Sequence, residues 1–162
     1  MRQSLLCAVL TCLFAAPAAA QEPSFPDAPR FESTHWVQGK PTGLATGDTI
    51  YVVELWATWC GPCQRALPKL AKLQQKHAQT LRAITLTDDD PEQVRRFISD
   101  NAYMKNMDVV VDTHLFEKFA RWPGVQGIPT AFLVQSGKVL WRGHPGDMSL
   151  VLSKALAGRW TP

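Results

Sequence analysis

One stretch of this sequence decides its fold, YVVELWATWCGPC at residues 51–63. Its first half is an apolar run broken only by Glu54, which is typical of a strand covered on both faces. Its end places Cys60 and Cys63 with two residues between them, where the strand gives way to a helix. A disulfide between them would close a very small loop and therefore add little stability. The pair indicates a redox couple rather than a structural cross-link.

The residues after the cysteines predict an amphipathic helix from Pro62 to about His77, because apolar residues recur there at helical spacing. Pro68 lies inside this helix and is expected to kink it, since it removes an amide donor. The unpaired amides and the dipole of a helix start favour negative charge. Cys60 is therefore predicted to be the nucleophile and the more exposed sulfur. Cys63, one turn inside the helix, is predicted to resolve the mixed disulfide.

The rest of the chain alternates strand and helix patterns over residues 31–158, which we assign to one domain. Asp90 is a predicted helix cap, followed by Pro91 in the first turn and by Gln93 in position for a capping box. The acidic run at 88–90 is interpreted as the solvated start of this helix. Further strands are predicted at 81–86, 108–111, 131–134 and 138–141, with a short strand near Trp36. Two further helices are predicted at 115–120 and at about 147–157.

The first twenty residues predict a secretory signal peptide that is cleaved after Ala20. Arg2 is the only charge in this segment, and the apolar run after it ends in an A-x-A pattern. The alternative is an uncleaved membrane anchor, but the run is shorter than the ~20 apolar residues that span a bilayer and is interrupted by Pro17. Cleavage would remove Cys7 and Cys12 and leave the two motif cysteines as the thiols of an exported, periplasmic protein.

The composition suits a single globular domain, with 162 residues of which 46% are hydrophobic and 19% are charged. Residues 21–30 contain three prolines and predict a flexible linker ahead of the domain. The net charge of +3 gives no electrostatic footprint for nucleic acid or for an anionic membrane. We therefore expect partners to be recognised by shape and by thiol chemistry, and we expect the protein to be a monomer.

Two motif blocks, at 52–68 and 127–143, resemble the exported TlpA, ResA and DsbE type of thioredoxin-like proteins. The likeness is most specific in the string WATWCGPC and extends as a pattern from about Phe31 to Leu156. It implies an α/β thioredoxin-like fold, with a central mixed β-sheet flanked by helices and an N-terminal strand extension. It also implies that no cofactor is needed besides a redox-active Cys60–Cys63 disulfide. The expected partners are disulfide-containing exported proteins and a membrane electron donor of the DsbD or CcdA type.

Glu54 stands six residues before Cys60, where thioredoxin carries a buried acid beneath its cysteine pair. The apolar neighbours of Glu54 allow either a solvated sheet edge or a buried carboxyl. The resemblance favours burial, which would raise the pKa of Glu54 and let it exchange a proton with Cys63. ResA and DsbE type members often have a neutral residue here and an acid three residues after the second cysteine, where this chain has Ala66. This departure weakens the case for a role in cytochrome c maturation.

The resemblance also assigns supporting residues around the cysteines. It implies that Pro129 is a cis proline beside the disulfide, where the backbone of Ile128 can pair with a substrate. Without the resemblance, the sequence around Pro129 would also suit an ordinary turn. Gly61 and Pro62 keep the turn between the cysteines compact. Trp59 is predicted to flank the nucleophile on the surface and to present the substrate, with simple packing as the alternative.

The predicted function is that of an exported thiol-disulfide oxidoreductase, and a reductase is favoured because Gly-Pro between the cysteines resembles reducing thioredoxin. The spacing itself does not encode direction, so a thiol oxidase or isomerase is the alternative. A copper-binding metallochaperone with a thioredoxin fold is a second alternative. A peroxidase is a third, but peroxiredoxin-like centres place a threonine three residues before the reactive cysteine, whereas Thr58 lies two residues before Cys60. A zinc site would need two further ligands, and the four histidines are isolated in the sequence.

Overall fold

The computed structural model describes residues 25–44 and 47–158. In these ranges six strands form one sheet: β1 (Trp36–Gln38), β2 (Ile50–Leu55), β3 (Leu81–Thr87), β4 (Asp108–Val111), β5 (Thr130–Gln135) and β6 (Lys138–Gly143). The same ranges contain four α-helices: α1 (Gly61–Lys76), α2 (Pro91–Asp100), α3 (Thr113–Ala120) and α4 (Ser149–Leu156). The strand order is β1-β4-β3-β2-β5-β6. β2, β3 and β4 pair in parallel, whereas β1, β5 and β6 pair antiparallel, so the sheet is mixed as predicted.

Both faces of the sheet are covered, which explains the continuous apolar sequence of β2. Val52 packs in one buried cluster with Leu67 of α1 and with side chains of α2 and α4. Val53 packs in a second cluster with Phe119 of α3. Because successive side chains of a strand point to opposite faces, Glu54 lies on the α1 face with Val52. The central strand therefore directs its one acid toward the helix that carries the cysteines.

The observed helix and hairpin bounds differ little from the predicted ones. α1 begins at Gly61 and includes Pro68 within its length. α4 begins at Ser149 because residues 145–147 form a separate turn of 3-10 helix. The hairpin of β5 and β6 turns at Ser136 and Gly137, whose φ angles of 48° and 75° are the left-handed values that two-residue hairpin turns require.

The segment before β1 is attached to the domain. Val139 donates a backbone hydrogen bond to Pro26 at 2.9 Å, and Lys138 forms an ion pair with Asp27 at 2.7 Å. Residues 25–30 of the predicted linker thus cover the open backbone of β6, the edge strand of the sheet. The packed part of the chain therefore begins ahead of residue 31, the predicted start of the domain.

The predicted signal peptide, with Cys7 and Cys12, lies outside the described residues. In the parts of the chain that the structure does describe, none of the helices combines the length and the apolar character that crossing a bilayer demands.

Candidate active site

Cys60 and Cys63 form a disulfide at the start of α1, with their Cα atoms 5.2 Å apart. Cys60 is the N-cap residue of the helix, and its Sγ accepts a hydrogen bond from the backbone amide of Cys63 at 3.2 Å. Pro62 occupies an early helical position, where a missing amide costs no intrahelical bond. Cys60 is 4% exposed and Cys63 is fully buried, so Cys60 is the less buried of the two cysteines. The amide and the helix dipole favour a thiolate on Cys60 when the pair is reduced.

Three side chains from different elements bind Thr58, two residues before the nucleophile. The backbone amide of Thr58 donates a hydrogen bond to Asp89 Oδ2 at 2.5 Å. Its carbonyl accepts one from Gln64 Nε2 at 2.5 Å, and its hydroxyl accepts one from Gln93 Nε2 at 2.6 Å. Asp89 lies in the loop after β3, Gln93 in α2 and Gln64 in α1. The turn that leads into the cysteines is therefore fixed to three parts of the fold.

This arrangement corrects two interpretations made from the sequence. Asp90 caps α2 as predicted, by accepting hydrogen bonds from two amides of the first turn. The predicted capping box is wrong, however, because the side chain of Gln93 bonds Thr58 instead. Asp89 is not merely part of a solvated helix start, since it is half-buried and bonds the active-site turn. No local pattern predicts these contacts, because Asp89 is 31 residues from Thr58 and meets it only once β2 and β3 pair.

Glu54 is fully buried, and neither of its carboxyl oxygens has a hydrogen-bond partner among the described residues. Its register neighbours are Thr85 on β3 and Ala131 on β5, so it lies in the middle of the sheet rather than on an edge. Burial raises the pKa of Glu54 from 4.5 to about 8. The buried alternative from the sequence is the correct one. Glu54 and Cys63 belong to the same covered face of the sheet, because Cys63 packs in the cluster that contains Val52.

A cleft of about 440 Å³ opens at the residue that precedes the nucleophile in the chain. Trp59 lines it and is 72% exposed, which confirms the predicted surface position. Ile128 lines the same cleft together with Val125, so an apolar wall faces Trp59. Trp56, by contrast, is fully buried, as the apolar pattern of the strand indicates. The centroid of its ring lies 5.0 Å from that of the Phe97 ring.

The loop that leads into β5 stands at the same end of the sheet. The peptide bond between Ile128 and Pro129 is cis, as the resemblance implied. The Thr130 hydroxyl donates a hydrogen bond to the carbonyl of Gly127 at 2.6 Å and closes this loop. Thr130 pairs in register with Leu55, the last residue of β2. Pro129 is therefore carried by the strand next to the one that runs into the cysteines.

Metal-ligating side chains do not gather in the described part of the chain: residues 25–44 and 47–158 contain no group of three His, Cys, Asp or Glu side chains that could hold a metal ion. His144 instead accepts a hydrogen bond from the amide of Gly146 through Nδ1, at 3.1 Å.

Comparison with known proteins agrees with this arrangement. The sequence model of the thioredoxin-like family matches residues 47–139, more than half of the chain. The chain is 25% identical to a thioredoxin of Listeria monocytogenes, over 59% of this chain and 68% of that protein. It is 30% identical to the thiol-disulfide oxidoreductase ResA of Bacillus thuringiensis, over 70% of this chain and 65% of that protein. A crystal structure of a thiol:disulfide interchange protein of the thioredoxin family from Chlorobium tepidum superposes with a TM-score of 0.64 at 26% identity, covering 83% of this chain and 99% of the other.

The cysteine pair at the start of α1, on a mixed sheet flanked by helices, is the site of a thiol-disulfide oxidoreductase. The chain belongs to the thioredoxin-like family. The fold and the family predicted from the two motif blocks are thereby confirmed. The chain spans about two thirds of the length of the two relatives named here, so its substrates and partners are matters for proposal.

Proposed function

We propose that this protein is exported and reduces disulfides in other exported proteins. The observation that carries the proposal is the hydrogen bond of the Cys63 amide to Cys60 Sγ, the sulfur of the less buried cysteine of the pair. This arrangement prepares Cys60 for attack and protects Cys63 until a mixed disulfide has formed.

The reaction starts from the dithiol. The Cys60 thiolate attacks one sulfur of a substrate disulfide, and the other substrate sulfur leaves as a thiolate that takes up a proton. Cys63 then loses its proton and attacks Cys60 Sγ, which releases the second substrate thiol. Two electrons and two protons pass to the substrate, and the protein is left with the Cys60–Cys63 disulfide present in this structure.

Glu54 is the proposed proton acceptor for Cys63. Both groups are buried on the α1 face of the sheet, and water-exposed bases cannot reach a fully buried thiol directly. A carboxyl whose pKa is raised to about 8 can accept and return a proton near neutral pH. The raised pKa thus matches the step in which Cys63 must become a thiolate.

The reducing direction is supported by Gly61-Pro62 and by the similarity to ResA and thioredoxin. An exported reductase needs electrons from the cell interior, so we propose a membrane thiol donor of the DsbD or CcdA type as the second partner. The cleft between Trp59 and Ile128 is the proposed contact for the substrate peptide, and Pro129 follows Ile128 directly in the chain. The predicted signal peptide supports a periplasmic location.

A Cys63→Ala variant in the native host tests the proposal, because it stops the reaction at the mixed disulfide. We expect reductant-sensitive adducts on Cys60 whose partners identify the substrates, whether apocytochromes or a wider set. A double Cys60→Ala, Cys63→Ala variant is the control and should capture nothing. In cells that lack the protein, the captured partners should carry more disulfide than in wild type. A gain of free thiol in those partners would instead indicate an oxidase.

A further inference from the structure

Four basic side chains form one stripe along the solvent face of α1. All four are exposed, and the sequence of the helix contains no acid. Their spacings of four, three and four residues put them on a single helix face: Arg65, Lys69, Lys72 and Lys76. Pro62 lies on the same face three residues before Arg65, so the stripe begins at the turn between the two cysteines. At 1.5 Å per residue the four cations extend over about 17 Å.

Nothing in the described ranges neutralises this stripe. The ion pairs found there join other cations to acids, and none involves these four residues. Like charges three and four residues apart repel each other along a helix. Arg65 also lies near the positive end of the helix dipole, where a cation is unfavourable. The stability of α1 therefore does not explain the pattern, whereas attraction of a negatively charged partner does.

A groove of about 270 Å³ runs between this stripe and the segment that follows β6. Its floor is apolar and its rim is basic: Leu70, Leu73 and Met148 below, with Arg65 and Lys69 above. Pro62 closes the groove at the end nearest the disulfide, and His144 stands on the opposite wall. Asp147 belongs to the neighbouring turn but does not line the groove. The lining therefore suits a segment that combines acidic and apolar side chains.

We propose that the groove and the stripe, together the basic docking surface, bind an acidic and partly apolar segment of the substrate protein whose disulfide Cys60 attacks. This inference rests on the proposed function and names the chemistry of its partner. Carboxylates would meet Arg65 and Lys69 at the rim while an apolar side chain enters the floor. Because Pro62 joins the groove to the cysteine turn, a bound segment holds the partner's sulfurs close to Cys60. Opposite charge also speeds the encounter at low ionic strength.

Binding of a cysteine-free probe tests the surface without any redox step. The probe is a fluorescein-labelled peptide of alternating Glu and Leu, compared with a peptide in which every Glu is Lys, and the protein is the disulfide form. We expect saturable binding of the Glu peptide at low salt, at least about five-fold weaker binding at 0.5 M salt, and no binding of the Lys peptide. No binding of the Glu peptide, or equal binding of both peptides, would overturn the proposal.

Matched charge reversals locate the site. Lys69→Glu with Lys72→Glu should weaken binding of the Glu peptide at least about five-fold. Arg96→Glu with Lys118→Glu makes the same change of net charge on α2 and α3, and should alter binding by less than about two-fold. An equal loss of Glu-peptide binding in both double variants would show that the peptide does not bind at the basic docking surface. Reduction of a neutral disulfide peptide, measured on the same proteins, reports on the proposed function alone, so failure of one proposal is separable from failure of the other.

Discussion

The backbone amide of Thr58 donates a hydrogen bond to the carboxylate of Asp89 at 2.5 Å, and this contact ties the active-site turn to the loop after β3. Thr58 is only 7% exposed, so loss of the contact would leave a shielded amide without its acceptor. Asp89 thus positions the turn that leads into Cys60.

Replacement of Asp89 by Ala should lower the second-order rate of disulfide reduction about three- to ten-fold, because small displacements of a reacting atom are costly. Asp89→Asn should retain most of the rate, since its amide oxygen can accept the same hydrogen bond. Stopped-flow reduction of a disulfide peptide measures both, with the exposed Asp100→Ala as the control for loss of an acid. Equal rates in Asp89→Ala and the wild type would remove Asp89 from this role.

Glu54 should control the resolving step of the reaction. The base form of a carboxyl with a pKa of about 8 becomes ten-fold rarer for each pH unit below that value, so resolution should accelerate with pH and level off above about 8. Glu54→Gln should lose this dependence and accumulate the mixed disulfide. Quenched-flow mass spectrometry follows that species, with the exposed Glu92→Gln as control. An unchanged rate and pH profile in Glu54→Gln would show that another group takes the proton.

The same carboxyl should make the folded protein less stable as the pH rises. Between pH 4.5 and about 8 the unfolded chain ionises Glu54 while the folded protein keeps its proton, so the folded state binds more protons and loses stability across this window. A shift of this size corresponds to at most about 5 kcal/mol. Urea unfolding of the disulfide form at pH 5 and pH 8 measures it, and Glu54→Gln should gain stability over wild type at pH 8 but not at pH 5. Parallel pH dependence in the two proteins would argue against a raised pKa.

Trp59 should contribute to substrate contact and little to stability. It is 72% exposed, so Trp59→Ala should change the free energy of unfolding by less than about 0.5 kcal/mol. Its loss removes one wall of the cleft and should slow reduction of protein disulfides several-fold, as expected for an aromatic contact residue. Leu150, also exposed at 65%, lies on α4 and provides the matched control Leu150→Ala. Equal rates in the two variants would contradict the role of Trp59.

The sequence predicts the sheet, the helices and the cysteine pair because each depends on local pattern. Apolar runs, helical spacing and the Ser136-Gly137 turn act within a few residues, and the structure follows them closely. Local pattern does not predict the burial of Glu54, because apolar flanking residues suit both an edge strand and a central strand. The position of Glu54 six residues before Cys60 predicts burial only because the sequence resembles thioredoxin, which carries a buried acid there.

The contacts of Thr58 could not be predicted in that way. Asp89 and Gln93 come from segments more than thirty residues away, and their side chains reach Thr58 only after β2 and β3 have paired. The attachment of residues 25–30 to β6 could not be predicted either, because a short segment with two prolines carries no strand pattern of its own. In both cases the deciding partner is distant in sequence.

The reduction potential of the Cys60–Cys63 couple decides in which direction electrons flow, so its measurement distinguishes a reductase from an oxidase. Equilibration with glutathione of defined redox composition, followed by mass spectrometry of the alkylated cysteines, gives the value. A reductase with Gly61-Pro62 between its cysteines should lie near the thioredoxin value of about −270 mV. A value near that of DsbA, about −120 mV, would contradict the account and make the protein a thiol oxidase.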